Sequence, residues 1–259
     1  MSDLLPGSFD LHIIDTCNLH CDGCVVLDYL QKGIVTNTRY ELDDVKDVMK
    51  NLKKIDLRLE ELRILGGEPT LHTDLDNIIE YIKGTELVDN LSLITNGLNF
   101  TNEVIESIKK LDKLIISVYP FDLDLERELK KSNLWYDLIF NVDVEFWKYK
   151  TFELYGHKIP NMEYSEQLNW DRCYQKDSCR VITKDYLYRC TITYSEKKDM
   201  CDWTDRQKVI SFINSDNPLS HCKDCPTPPY EKKYESNNLP IDLKNFSRGI
   251  KLINDYSKV

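Results

Sequence analysis

The chain has 259 residues, 41% hydrophobic and 30% charged, enough for one large domain or one domain with a small appendage. A formal net charge of −10 argues against general affinity for nucleic-acid backbones, while leaving a nucleotide held in a pocket open. No run approaches the ~20 apolar residues of a membrane span, and residues 1–10 lack the basic and apolar segments of a secretory signal, so a cytoplasmic protein is expected.

Residues 9–14 (FDLHII) read as a strand running into a first group of cysteines. Val45, Val48, Met49 and Leu52 then recur at helical spacing. Residues 62–65 form a second strand, ended by the turn Gly66-Gly67-Glu68-Pro69. Thr73 with Asp76 has the form of a capping box. Leu75, Ile78, Ile79 and Ile82 give the next helix one apolar face, with Gly84 as its stop. Residues 91–95 are a third strand, ended by Asn96-Gly97. Val104, Ile105, Ile108 and Leu111 mark a further helix, and residues 114–118 a fourth strand. Beyond residue 121 the pattern weakens. Residues 138–144 read as another strand, 145–170 are rich in aromatics without a clear period, and 226–240 read as loop. Leu243, Phe246, Ile250 and Ile253 suggest a closing helix. Alternating strands and helices build a parallel sheet, curled by right-handed connections into a barrel or a doubly wound sheet.

The cysteine loop, the glycine turn and Thr95-Asn96-Gly97 all follow strands, and ligands bind at that carboxyl edge. In a cytosolic chain, clustered cysteines point to metal or catalysis, and the nine here fall into two groups. Cys17-x3-Cys21-x2-Cys24 offers three thiolates. Zinc would need a fourth ligand, His20 or a distant group. A 4Fe–4S cluster on three cysteines keeps one iron open. That iron can take the amino and carboxylate groups of S-adenosylmethionine (SAM), whose carbon–sulfur bond breaks on receiving an electron. The turn at residues 66–69 favours the cluster. Two glycines let backbone approach a ligand closely, and Glu68 can accept from an ammonium group. In the second group, Cys179, Cys190, Cys222 and Cys225 make a four-thiolate cage suited to zinc or iron–sulfur, with Cys173 as an alternative to Cys179. Cys201 is a spare: either a hydrogen-atom donor or an ordinary partly buried thiol.

The segments DTCNLHCDGC, LRILGGEPTLH and LSLITNGL resemble the radical SAM superfamily. The resemblance implies that Cys17, Cys21 and Cys24 bind the SAM-coordinated 4Fe–4S cluster and that Gly66, Gly67 and Glu68 hold the methionine amino group. Thr95, Asn96 and Ser117 would contact the ribose or carboxylate. Many members carry an aromatic residue just before the last cluster cysteine, where Gly23 stands here. The pieces RCYQKDSCRVITKDYLYRC and NPLSHCKDC look like the family's twitch or SPASM-type extension, implying a second, auxiliary 4Fe–4S cluster. Such extensions usually have a glycine where this chain has Asp185.

The expected fold is therefore α/β. A partial (β/α) barrel core spans residues 1–165, a small cysteine-rich extension 166–230, and a loop with a closing helix 231–259. The expected activity is hydrogen-atom abstraction from a substrate by a 5′-deoxyadenosyl radical, with an external one-electron reductant of flavodoxin or ferredoxin type. Because the chain begins at the first barrel strand, a small molecule of the sugar or nucleotide class is favoured. Maturation of a ribosomal peptide, a non-catalytic iron–sulfur electron carrier and a zinc-stabilised binding module are the competing readings.

Overall fold

In the first strand, β1 (Asp3–Ile14), successive side chains alternate between two environments, and that alternation organises the molecule. Phe9, Leu11 and Ile13 are fully buried in an apolar core, whereas Asp10 and His12 are polar residues buried on the opposite face. The computed structural model describes residues 2–19, 21, 24, 26, 39–119, 123–148, 165–173 and 175–225.

After the cysteine loop the chain forms α1 (Leu42–Lys54), whose Val45, Val48, Met49 and Leu52 enter the core as their spacing predicts. β2 (Leu57–Gly66), α2 (Leu75–Gly84), β3 (Val88–Thr95), α3 (Asn102–Ile108) and β4 (Lys113–Val118) follow in the expected alternation. Then come α4 (Leu123–Lys131), α5 (Asn133–Asn141) and β5 (Asp143–Lys148). The C-terminal part holds α6 (Glu166–Asp171), β6 (Arg180–Ile182), β7 (Tyr186–Tyr188), α7 (Thr191–Glu196), β8 (Met200–Asp202) and α8 (Arg206–Ile213).

All eight strands join one sheet in the order β5-β4-β3-β2-β1-β6-β7-β8. Pairing is parallel from β5 through β6 and antiparallel across β6–β7–β8. The fold is thus α/β with a mostly parallel sheet, and β1 lies between β2 and β6. Residues 180–202 of the cysteine-rich region extend the sheet that the first half of the chain begins.

Two local expectations need correction. Residues 138–141 belong to α5, and a strand starts only at Asp143. Leu134 and Leu138, one turn apart, bury a helical face there, which a short apolar run does not distinguish from a strand. No capping box forms at Thr73: Asp74 is the N-cap, and Thr73 Oγ1 instead accepts from Arg39. Gly84 is the last helical residue, and the left-handed turn falls at Glu86 (φ 56°). The aromatic-rich stretch contributes β5 and α6, with residues 149–164 outside the described set. His20, Gly23, the loop at 226–240 and the closing helix also lie outside the described residues. Among the described residues no helix is long and apolar enough to cross a membrane.

Candidate functional site

The parallel register Ile14↔Gly66 brings the end of β1, where the cysteine loop begins, beside the end of β2. Gly67 N donates to Ile14 O (2.6 Å) and Glu68 N to Thr16 O (2.9 Å). Gly66 adopts φ 152°, and a Cβ there would lie 2.0 Å from Ile14 O. A Cβ on Gly67 would lie 2.3 Å from Thr16 O and 2.5 Å from Asp15 O. The two glycines are therefore required by contact between the two strand ends, before any ligand is considered.

Glu68 caps a short 3-10 turn, Pro69–Leu71, and is 1% exposed. Its Oε1 accepts from Thr70 N (3.0 Å), Thr70 Oγ1 (2.6 Å) and Thr95 Oγ1 (2.7 Å), and its Oε2 from Asn96 N (2.8 Å). Burial pushes this carboxyl up, and the groups pulling it back down are uncharged donors on Asn96, Thr70 and Thr95. A cationic amino group is the partner that such a carboxylate still lacks electrostatically, so the SAM amino group fits here.

Thr95 Oγ1 also accepts from Gly97 N (3.0 Å), where the chain turns at φ 72°. Asn96 Oδ1 accepts from Leu98 N (3.0 Å), and its Nδ2 donates to Asn18 Oδ1 (2.7 Å) with Cys17 Sγ at 3.9 Å. Thr95 and Asn96 thus reach the cysteine loop and Glu68 as predicted, but with their polar atoms committed to the protein. Ser117 is buried near the end of β4 and does not join this network.

Cys17, Cys21 and Cys24 are half-buried. Cys17 Sγ accepts from Leu19 N (3.4 Å), and Cys24 N donates to Cys21 O (3.2 Å). Burial, then the Glu68 charge, pushes the Cys17 thiol up to about 12. Burial, then Cys24, does the same to Cys21. Such thiols ionise when a metal takes the charge. Among the described residues no three His, Cys, Asp or Glu side chains converge on a single metal-ion position. A mononuclear zinc needs every sulfur at about 2.3 Å from one centre.

The second cysteine group lines an open cavity of about 460 Å³. Cys173, Cys179, Cys190, Cys222 and Cys225 all face it, with His221. Asn169 of α6 fixes its rim, with Nδ2 donating to Cys222 O (2.7 Å). Cys190 is the N-cap of α7, and Cys179 Sγ lies 3.0 Å from Thr191 Oγ1. The hydrogen bond between Cys190 and Cys179 pulls Cys179 down to about 6 and pushes Cys190 up. Burial raises Cys173 to about 11 and Cys222 to about 12. Cys201 is not in this group. It lies buried on the edge strand β8, its Sγ donating to Asp202 O (3.4 Å).

Sequence reasoning missed the polar face between the two cysteine groups. Arg63 of β2 donates to Asp10 Oδ1 from Nε (2.7 Å) and Nη2 (2.6 Å), and its Nη2 also reaches Ser178 O. Burial pushes the Asp10 carboxyl up to about 8 against the pull of Arg63. His12 is 4% exposed, and neither ring nitrogen has a hydrogen-bond partner. Its ring centroid lies 5.1 Å from that of Tyr194. Burial lowers His12 to about 4, so the imidazole is neutral. The strand's period-2 alternation in FDLHII was the available signal for Asp10 and His12.

Residues 11–139, about half of the chain, match the model of the radical SAM superfamily. The GTP 3',8-cyclase of Lactiplantibacillus plantarum is 31% identical over 132 residues, covering 50% of this chain and 39% of that protein. The GTP 3',8-cyclase of Aquifex aeolicus is 26% identical over 134 residues, covering 51% and 41%. The chain spans about two fifths of the length of these curated relatives. Among solved structures, BtrN in complex with AdoMet and 2-DOIA superposes with a TM-score of 0.60 at 16% identity, covering 90% of this chain and 99% of that one. Native anSMEcpe with bound AdoMet and Kp18Cys peptide gives 0.51 at 14% identity, covering 99% and 100%. These two likenesses concern the fold. With the family match running from β1 through α5, over the cysteine loop and the Glu68 network, the chain belongs to the radical SAM superfamily.

Proposed function

We propose that this chain is a radical SAM enzyme acting on a small molecule of the sugar or nucleotide class. The observation that carries the reading is the joint between the cysteine loop and the glycine turn, where Gly67, Glu68 and Asn96 all bond to residues 14–18. Cys17, Cys21 and Cys24 would hold the 4Fe–4S cluster, and Gly66, Gly67 and Glu68 the SAM amino group. When bound, cluster and SAM supply a 5′-deoxyadenosyl radical able to abstract a hydrogen atom, with the electron drawn from an external one-electron donor of flavodoxin or ferredoxin type.

The protein's own part is orientation and exclusion of water. Glu68 fixes the amino group from a buried position. Residues 14–16 pack closely against Gly66 and Gly67 and so fix the cysteine loop beside the turn. On the polar face, His12 offers a neutral donor and acceptor, and the Asp10–Arg63 pair a fixed dipole. Those groups suit a hydroxylated small molecule. BtrN was solved with AdoMet and 2-DOIA, which supports that class, while the GTP 3',8-cyclases share with this chain only about half its length.

The reading includes an auxiliary 4Fe–4S cluster in the second cavity, whose lining holds five cysteines, and four thiolates are what such a cluster takes. Its proposed ligands are Cys190, Cys222 and Cys225 together with Cys179, with Cys173 as the alternative to Cys179. Both candidates line the cavity. Cys179 hydrogen-bonds to Cys190 and lies beside Thr191, while Cys173 acts electrostatically on Cys179, Cys222 and Cys225.

Anaerobic reconstitution with iron, sulfide, dithionite and SAM tests the proposal. The wild-type chain is expected to bind about eight irons and release 5′-deoxyadenosine. Replacing Cys17, Cys21 and Cys24 with Ala should leave about four irons and abolish SAM cleavage. Wild-type 5′-deoxyadenosine formation by that variant would overturn the assignment, and iron binding without cleavage in the wild type would favour an electron carrier. Within the triple variant, Cys179→Ala should empty the remaining site and Cys173→Ala should not; the reverse result makes Cys173 the ligand.

A further inference from the structure

We propose that Asn96 is a positioning residue for Cys17 that sets the reduction potential of the N-terminal cluster and does not bind SAM. This inference rests on the cluster reading above.

The donors of Asn96 are all engaged within the protein. The residue is 5% exposed, so none of them relies on water. Its backbone N–H is spent on Glu68 Oε2 (2.8 Å), and its side-chain oxygen accepts from Leu98 N (3.0 Å), forming the turn that follows β3. Of the two side-chain N–H groups, one is taken by Asn18 Oδ1 (2.7 Å). The other is left for Cys17 Sγ at 3.9 Å, within reach for a hydrogen bond to sulfur. Leu19 N donates to the same sulfur at 3.4 Å. Every donor on Asn96 therefore ends on Glu68, Asn18 or Cys17. A SAM carboxylate, which can only accept, could be bound only by breaking one of these bonds.

A carboxamide so placed does two things. Through Asn18 it fixes the first residue of the cysteine loop beyond Cys17. Through its remaining N–H it lends partial positive charge to the Cys17 sulfur, which faces the Glu68 carboxylate. Hydrogen bonds to ligand sulfurs are among the protein's main controls over the potential of an iron–sulfur cluster, because they stabilise the more negative, reduced form. Removing this one makes reduction harder.

The test is an EPR-monitored redox titration of the reconstituted full chain, with SAM affinity measured separately by calorimetry. Asn96→Ala is expected to lower the equilibrium constant for one-electron reduction about tenfold, a midpoint about 59 mV more negative. SAM affinity should stay within about twofold of wild type, a readout that loss of a direct SAM contact could not leave unmoved. Asn96→Ser is the second variant. Its hydroxyl can still accept from Leu98 N and so keep the turn, and its potential should fall as in Asn96→Ala. Either variant is sufficient if the other fails to fold. An unchanged potential, or SAM binding weakened tenfold or more, overturns the inference. A wild-type chain that gives no 4Fe–4S signal removes the cluster reading itself and this inference with it.

Discussion

A polar side chain sealed in a core imposes a pH dependence that its neighbours do not share, and His12 is such a residue. Its folded-state value lies near 4 and its ordinary value near 6.5, so the unfolded chain binds the proton more readily between those limits. Stability from this group is complete above pH 6.5 and is lost as pH falls toward 4, by about 3 kcal/mol in all. His12→Leu should flatten the urea-unfolding midpoint over that window, and a variant with the wild-type slope would contradict the assignment. Glu68 carries a comparable burden through its acceptors. Glu68→Ala strips the acceptor from the Thr95 hydroxyl and the Asn96 amide, and a loss of roughly 3 kcal/mol is expected in denaturant titration. The importance of Glu68 was legible in the sequence because the GGEP turn is a motif. His12 and Asn18 were not singled out: alternation along β1 sets the face on which His12 lies, but the meaning of either residue lies in what faces it.

At the scale of elements, the decisive event is the meeting of the ends of β1 and β2. Gly67→Ala places a methyl group on the Thr16 and Asp15 carbonyls, and the cysteine loop must move to admit it. Reconstituted Gly67→Ala should lose about four irons while its circular dichroism stays close to wild type. Retention of all the iron would show that the loop tolerates the displacement. The alternating units from β1 to β4 were readable because helical and strand periods differ and each unit repeats the contrast. The run at 138–141 was misread for the same reason. Four residues cannot report a period, and only Leu134, one turn earlier, reveals the helix. The helix does stop at Gly84, while the left-handed turn that follows is made by Glu86, which its sequence does not advertise.

Across the whole molecule, β1 is the shared spine. It pairs with β2 from Asp3↔Leu57 to Ile14↔Gly66, but with β6 only at Phe9↔Arg180 and Asp10↔Val181. Amides of β7 and β8 should therefore exchange with deuterium before those of β2 and β3, and simultaneous exchange would argue for one cooperative unit. The Arg63 guanidinium ties the halves by holding both Asp10 and the Ser178 carbonyl. Arg63→Ala leaves the buried Asp10 carboxyl and the Ser178 carbonyl without this donor, so a stability loss of about 1–3 kcal/mol is expected, measured by thermal unfolding. The division of the cysteines into two groups was plain in the sequence. That one ion pair lies between them was not, because Asp10, Arg63 and Ser178 are distant in the chain.

The dependence of the cysteine loop on later residues has a consequence for biogenesis. Cys17, Cys21 and Cys24 leave the ribosome well before Gly67, Glu68 and Asn96, which hold their loop in place. About seventy residues separate Cys24 from Asn96, several seconds of synthesis at roughly 5–20 residues per second. During that interval the nascent thiols have no scaffold, so iron delivered early meets a floppy chelator, and productive metallation waits until the third strand has docked.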